Sequence, residues 1–332
     1  NKPTLPTLVG FDYEMIARFD GISPNPATVD KALFPYYRML RRNHAYPLFI
    51  YEAKPGYKDD GKKVELDMVP FWRKVELALE DDAKTAPIGI PFSEIWPVDT
   101  RKYPFGSAEF RARTLRYLRA IAAELQGRHA LERSFLYVAA TDEPKTAAQV
   151  QLTRQLADLI READPRLQLL QTVHAHCEDC QGGTLAQQDH PSFMWAPNIA
   201  YYDAKAMRAP KLLSGAKAMN SGWTPDLTRQ LRNKKRQIWW YLNSWTFLLS
   251  DPPAYPNLFV DHQGIAQRVT GWLAFRDGVS GVGHWNATYW RNVDNPWASL
   301  PHGENNAGTA GDGILVYPGK GVKAVSGQAE PN

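Results

Sequence analysis

Short apolar runs punctuate the chain, and helix-period segments fill most of the intervals between them. The runs are Leu5 to Phe11, Tyr46 to Tyr51, Ala86 to Phe92, Phe135 to Ala140, Leu167 to Val173, Ser192 to Pro197, Gln237 to Leu242 and Val279 to Trp285. Each is short, rich in branched or aromatic residues and closed by turn-forming or charged residues, which suits a strand buried on both faces. Helical spacing marks Ala32 to Asn43, Met68 to Asp81, Ser107 to Gln126, Thr146 to about Ala163 and Val260 to Arg276. A weaker helical region, broken by Pro210 and Pro225, covers Ala204 to Lys235. The stretch K-P-G-Y-K-D-D-G-K-K after Glu52 reads as a polar loop. Strand and helix alternation argues for parallel βα units. About eight strands in 332 residues argue for one α/β domain, a (β/α)8 TIM-type barrel. The expected barrel spans residues 5–300, and residues 301–332, glycine-rich from Gly308, form a hairpin or loop extension. An open doubly wound sheet is the alternative, but no glycine-rich phosphate loop follows the first run.

The fourth run carries the candidate chemistry. It reads S-F-L-Y-V-A-A-T-D-E-P-K from Ser134 to Lys145 and ends on Asp142 and Glu143. Pro144 cannot continue a ladder, so the strand stops there. Neighbouring side chains on a strand point to opposite faces. Both acids therefore serve one pocket only if the chain bends, and Pro144 gives it a reason to. The plainer reading is an acidic cap on the helix that begins near Thr146. In a barrel, however, the C-terminal strand ends form the active-site mouth. The pair then lies alongside Trp195, Tyr241, Asn243, Trp245 and Trp285 from later strand ends.

Composition narrows the function. With 39 basic and 35 acidic residues the chain has a formal charge of +4, and its basic clusters at Arg38-Arg41-Arg42 and Arg232-Lys234-Lys235-Arg236 read as solvated helix faces. No nucleic-acid module accompanies them, so no nucleic acid is expected as a partner. No run approaches the ~20 apolar residues of a membrane span. Nine of the 11 tryptophans lie at or after Trp195, supplying flat apolar faces with one polar handle for stacking on sugar rings. His174, His176, Cys177 and Cys180 form H-A-H-C-E-D-C, which offers no second paired motif to complete a tetrahedral zinc site. Neither metal nor cofactor is expected, and the two cysteines read as a disulfide or as free thiols. A glycan or glycoconjugate is the expected substrate. Sequence fixes no oligomeric state.

The usual retaining barrel glycosidase has an acid at strand four and a nucleophilic carboxylate at strand seven, about 5–5.5 Å apart. The seventh run, I-W-W-Y-L-N-S-W, offers none before Asp251. Adjacent Asp and Glu suit substrate assistance instead. A sugar 2-acetamido group attacks its own anomeric carbon, Glu143 protonates the leaving oxygen, and Asp142 orients the acetamido nitrogen. Two readings stay open beside it: a two-carboxylate glycosidase drawing on Glu52, Glu94, Asp203, Asp251 or Asp294, and a glycan-binding barrel without catalysis. His284 should face the layer opposite Trp285.

A-T-D-E-P, together with Q-I-W-W-Y-L-N-S-W, P-P-A-Y-P-N-L-F-V-D, R-V-T-G-W, G-V-S-G-V-G-H-W-N-A-T-Y-W and G-D-G-I-L-V-Y-P-G between Gln237 and Gly319, resembles glycoside hydrolase family 123 and its wider relatives. The resemblance implies a retaining β-N-acetylgalactosaminidase that uses the substrate acetamido group, with Asp142 and Glu143 as the acid pair. Asn257 of Y-P-N matches a recurrent family position and is a further candidate sugar contact. The β-sandwich often found ahead of the barrel has no counterpart here, since Leu5 already opens the first run. Chemistry of this kind implies a periplasmic or extracellular location.

Overall fold

The computed structural model describes residues 5–22, 28–50, 55–92, 98–173, 188–202, 223–243, 256, 258, 263–291, 293–297 and 311–318. Strands β1 (Thr7–Val9), β2 (Ala45–Pro47), β5 (Ile88–Phe92), β6 (Ser134–Val138), β7 (Leu169–Val173), β8 (Phe193–Pro197), β9 (Trp239–Leu242) and β10 (Gly281–His284) fall within the eight apolar runs, apart from the first residue of β2 and of β6. They form two parallel four-stranded sheets, ordered β2-β1-β10-β9 and β5-β6-β7-β8. At one meeting of the sheets, isolated parallel bridges join Trp195 to Ile238 and Asn198 to Tyr241. At the other, Ile50 N donates to Gly89 O at 3.3 Å. Gly89 has no room for a side chain there, because a Cβ would lie 2.1 Å from Leu48 O. We expect Gly89→Ala to separate this seam and cost about 1–3 kcal/mol, the range for overpacking, read as a fall in melting temperature.

Helices occupy most of the intervals between these strands: α1 (Tyr13–Phe19), α2 (Val29–Arg42), α3 (Val69–Leu79), α4 (Ala108–Gly127), α5 (Ala147–Ala163) and α6 (Pro225–Asn233), then Gly264–Arg268 and Thr270–Asp277 before β10. The apolar stripe of α4, including Phe110, Leu118, Ile121 and Leu125, is buried as its spacing requires. Among the described residues no helix is long and apolar enough to cross a membrane.

One local feature departs from the sequence reading. The polar stretch after Glu52 contains an antiparallel hairpin, β3 (Gly56–Asp59) with β4 (Val64–Asp67), rather than a loop. Its one-residue alternation is masked by charged residues on the outer face, while Tyr57 packs edge-on against Tyr117 of α4 at 4.8 Å. Asp59 fixes the hairpin from within. Its buried carboxylate accepts from Tyr57 Oη at 2.9 Å, Gly61 N at 2.7 Å and Arg116 at 2.9 Å. Asp12, just past the first run, caps α1 by accepting from Met15 N at 3.2 Å, and pairs with Arg291 at 2.7 Å.

The C-terminal residues 311–318 lie against the segment that follows β10. Tyr289 N donates to Gly313 O and Leu315 N to Ala287 O, both at 2.9 Å. The rest of the expected extension, 301–310 and 319–332, lies outside the described residues.

Candidate active site

β6 runs out at Val138, and one 3-10 turn, Ala139–Thr141, follows it, with Thr141 Oγ1 donating to Val138 O at 2.9 Å. Asp142 is extended, but Glu143 has a φ of +41°, a left-handed step that costs a non-glycine residue about 1–3 kcal/mol. That step is the bend the two acids require. Both carboxyl side chains line one cavity of about 520 Å³. Neither is a helix cap: α5 is capped by Thr146 in a reciprocal box with Gln149, and its first turn carries no acid.

Alternation along the strands sets the rest of the lining. Phe135 and Tyr137 of β6, Leu170 and Thr172 of β7, Met194 and Ala196 of β8, Trp239 and Tyr241 of β9 and Gly283 of β10 all face the cavity. Trp285 and Asn243, just beyond their strands, join them, as does Asp312 from the C-terminal segment. Gly281 leaves space for the Trp239 indole, since a Cβ there would lie 2.5 Å from the ring.

Hydrogen bonds fix the two acids through a shared partner. Thr172 Oγ1 donates to Asp142 Oδ1 at 2.6 Å and accepts from the Glu143 backbone N–H at 2.7 Å. Tyr241 Oη donates to Glu143 Oε1. Solvent reaches Asp142 through the cavity mouth, yet the protein around it strips enough hydration to push its carboxyl above the usual range. Hydrogen bonds from Thr172 and Tyr137 and the positive charge of Lys145 oppose that rise. Burial first, then the negative charge of Glu143, hold the Tyr241 phenol well above its ordinary value, so it remains a donor.

Residues 94–329 match the family model described as glycoside hydrolase 123, catalytic domain. The chain belongs to glycoside hydrolase family 123. A family 123 glycoside hydrolase from Clostridium perfringens, whose structural analysis concerns glycolipid glycan hydrolysis, superposes with a TM-score of 0.58 at 12% identity. The alignment covers 96% of this chain and 56% of that one, so this chain spans little more than half the length of its relative. Clostridioides difficile cellulose synthase subunit Z (TM-score 0.39, 10% identity, 85% and 92% covered) and Thermotoga maritima Cel5A in complex with cellobiose (0.38, 12%, 86% and 90%) are more remote. No curated protein matches the chain.

In this family 123 domain, the expected Asp142, Glu143, Tyr241, Asn243 and Trp285 share the cavity. Trp195 does not. It is fully buried outside the cavity, packed on Phe193 and Trp223 with its indole N–H on Asp189 at 3.3 Å. Register explains the correction. Trp195 pairs with Gln171, whereas its neighbours Met194 and Ala196 pair with the inward Leu170 and Thr172. Trp245, Asn257, the H-A-H-C-E-D-C motif, Glu52, Glu94, Asp203 and Asp251 lie outside the described residues. Asp294 stands on the surface, 4.0 Å from Arg18. Among the described residues no cluster of three or more His, Cys, Asp or Glu side chains could hold a metal.

Sequence reasoning passed over Thr172, Tyr137, Trp239 and Asp312. The first three were findable by carrying two-residue alternation inward from Phe135, Leu170 and Tyr241. Asp312 sits in the G-D-G-I-L-V-Y-P-G motif, and its buried carboxylate accepts from Trp285 Nε1 at 2.9 Å.

His284 is buried on the outer side of β10, as alternation requires, and burial lowers its pKa to about 4. Between the ordinary imidazole value and about 4 the unfolded chain binds the extra proton, so stability falls as pH drops through this window. We expect a loss on the order of 3 kcal/mol, measurable as a pH-dependent melting temperature that flattens in His284→Gln.

Proposed function

We propose that this domain is a retaining glycosidase cleaving β-linked N-acetylhexosamine, with N-acetylgalactosamine the favoured sugar, through the substrate's own acetamido group. The observation that carries it is that chain neighbours Asp142 and Glu143 both line one cavity walled by indole rings. The scaffold we infer is a closed (β/α)8 barrel, its two sheets meeting at β8–β9 and at the Ile50–Gly89 hydrogen bond.

The acetamido carbonyl oxygen attacks the anomeric carbon as the glycosidic C–O bond breaks. Glu143 gives its proton to the departing oxygen. Asp142, anchored by Thr172 and Tyr137, accepts from the acetamido N–H and stabilises the positive charge of the oxazolinium ion. The Tyr241 phenol, which rests on Glu143 in the free domain, moves to the acetamido oxygen and releases the acid for its work. Water, deprotonated by Glu143, then opens the ring intermediate at the anomeric carbon. Two inversions give net retention. Trp285, held by Asp312 and tilted against Tyr289 at 4.9 Å, supplies a stacking face for the sugar ring. A glycan of this kind fits a periplasmic or extracellular setting.

Aryl 2-acetamido-β-glycosides should be hydrolysed with retained anomeric configuration, followed by proton NMR of the first-formed sugar. The matching plain β-galactoside should not react. Its turnover would favour a second reading, a two-carboxylate enzyme, for which Asp312 is the other cavity-lining acid among the described residues.

A further inference from the structure

The Thr172 side chain bonds to both members of the acid pair. Its hydroxyl spends its proton on Asp142 Oδ1 at 2.6 Å and its lone pair on the Glu143 N–H at 2.7 Å. The second bond clasps the backbone where Glu143 is held at a φ of +41°. On the outer face of β7, the fully buried Gln171 amide donates to Thr141 O at 2.8 Å and pins the start of the same turn. Consecutive residues of one strand thus hold the turn from both sides. A valine would fill the volume of Thr172 and break both bonds, and a serine would keep both.

We propose that Thr172 is a positioning residue, setting the orientation of the Asp142 carboxylate and the left-handed backbone of Glu143 through its single hydroxyl. The inference rests on the reading of Asp142 and Glu143 as the reacting pair. Groups facing Asp142 are Tyr137 from β6, Glu143 and Lys145 from its own turn, Thr172 from β7 and Tyr241 from β9. Lys145 is the cation among them, and the hydroxyl of Thr172 donates to Asp142 while also holding the neighbouring backbone. Its bond favours the ionised carboxylate, so its loss raises the pH at which Asp142 ionises.

The test compares Thr172→Val and Thr172→Ser with wild type. The Asp142 side chain is titrated by carboxyl carbon NMR, assigned through Asp142→Asn, and turnover of an aryl 2-acetamido-β-glycoside is measured across pH. In Thr172→Val we expect Asp142 to titrate higher, the acid limb of the rate profile to move up with it, and kcat to fall about 10- to 100-fold, the loss of a hydrogen bond to a charged group. KM should change little, and Thr172→Ser should restore both readouts. If Thr172→Val does not fold, Thr172→Ala gives the same contrast. An unchanged Asp142 titration in the hydroxyl-less variant would overturn the inference, as would a serine variant as impaired as the valine one. Should wild type turn over no glycoside, the hydrolase reading falls, while the titration still decides whether Thr172 sets the carboxylate.

Discussion

Glu143→Gln is expected to lower kcat/KM on a phenyl 2-acetamido-β-glycoside by about a hundred- to ten-thousandfold, the range for removing a positioned general acid. Glutamine keeps the shape of the side chain and its contact with Tyr241, so folding and binding should hold. The loss should shrink sharply on a dinitrophenyl glycoside, whose leaving oxygen departs without a proton. Water attack on the intermediate then limits the rate, since Glu143 also serves as the base in that step. Equal losses on both leaving groups would remove Glu143 from the acid role. Activity left near wild type on both would remove it from the reaction.

Asp142→Asn should cost about a hundred- to a thousandfold in kcat, comparable to deleting one preorganised electrostatic contact to a developing charge. Here the charge is the oxazolinium. An uncharged amide cannot stabilise it, although it can still accept from the acetamido N–H. The effect should be confined to substrates that form that ion, and adding azide should not restore turnover as it would for a missing enzymic nucleophile. Azide rescue with inverted product would instead identify Asp142 as the nucleophile. In wild type, the surrounding protein raises the Asp142 carboxyl above its ordinary range. Activity should therefore rise with pH through a limb above that of a free aspartate, because the ionised form is the working one. Asp142→Asn should abolish that limb.

Sequence alone determined the eight strands of the two parallel sheets and the placement of adjacent Asp142 and Glu143 just past the end of one of them. A short run rich in branched and aromatic residues, bounded by turn-forming or charged residues, favours a central strand, so β1, β2 and β5 to β10 were all legible. The pair at 142 and 143 was legible because acids cannot continue a buried run and Pro144 closes it. The hairpin β3–β4 was not, since its inner residues Tyr57 and Leu66 alternate with charges that read as loop until α4 lies beneath them. Only tertiary structure decided which faces look inward. Trp195 and Trp239 are alike as letters, and strand register sends the first behind β8 and the second into the cavity. Tertiary structure also brought in Thr172, 30 residues from Asp142, and Asp312, 27 residues from Trp285, whose roles depend on hydrogen bonds formed after the strands are in place. The left-handed turn at Glu143 belongs to the same class. No local preference of a glutamate selects that conformation, and it persists because Thr172, Gln171 and the capped helix α5 hold the chain on either side of it.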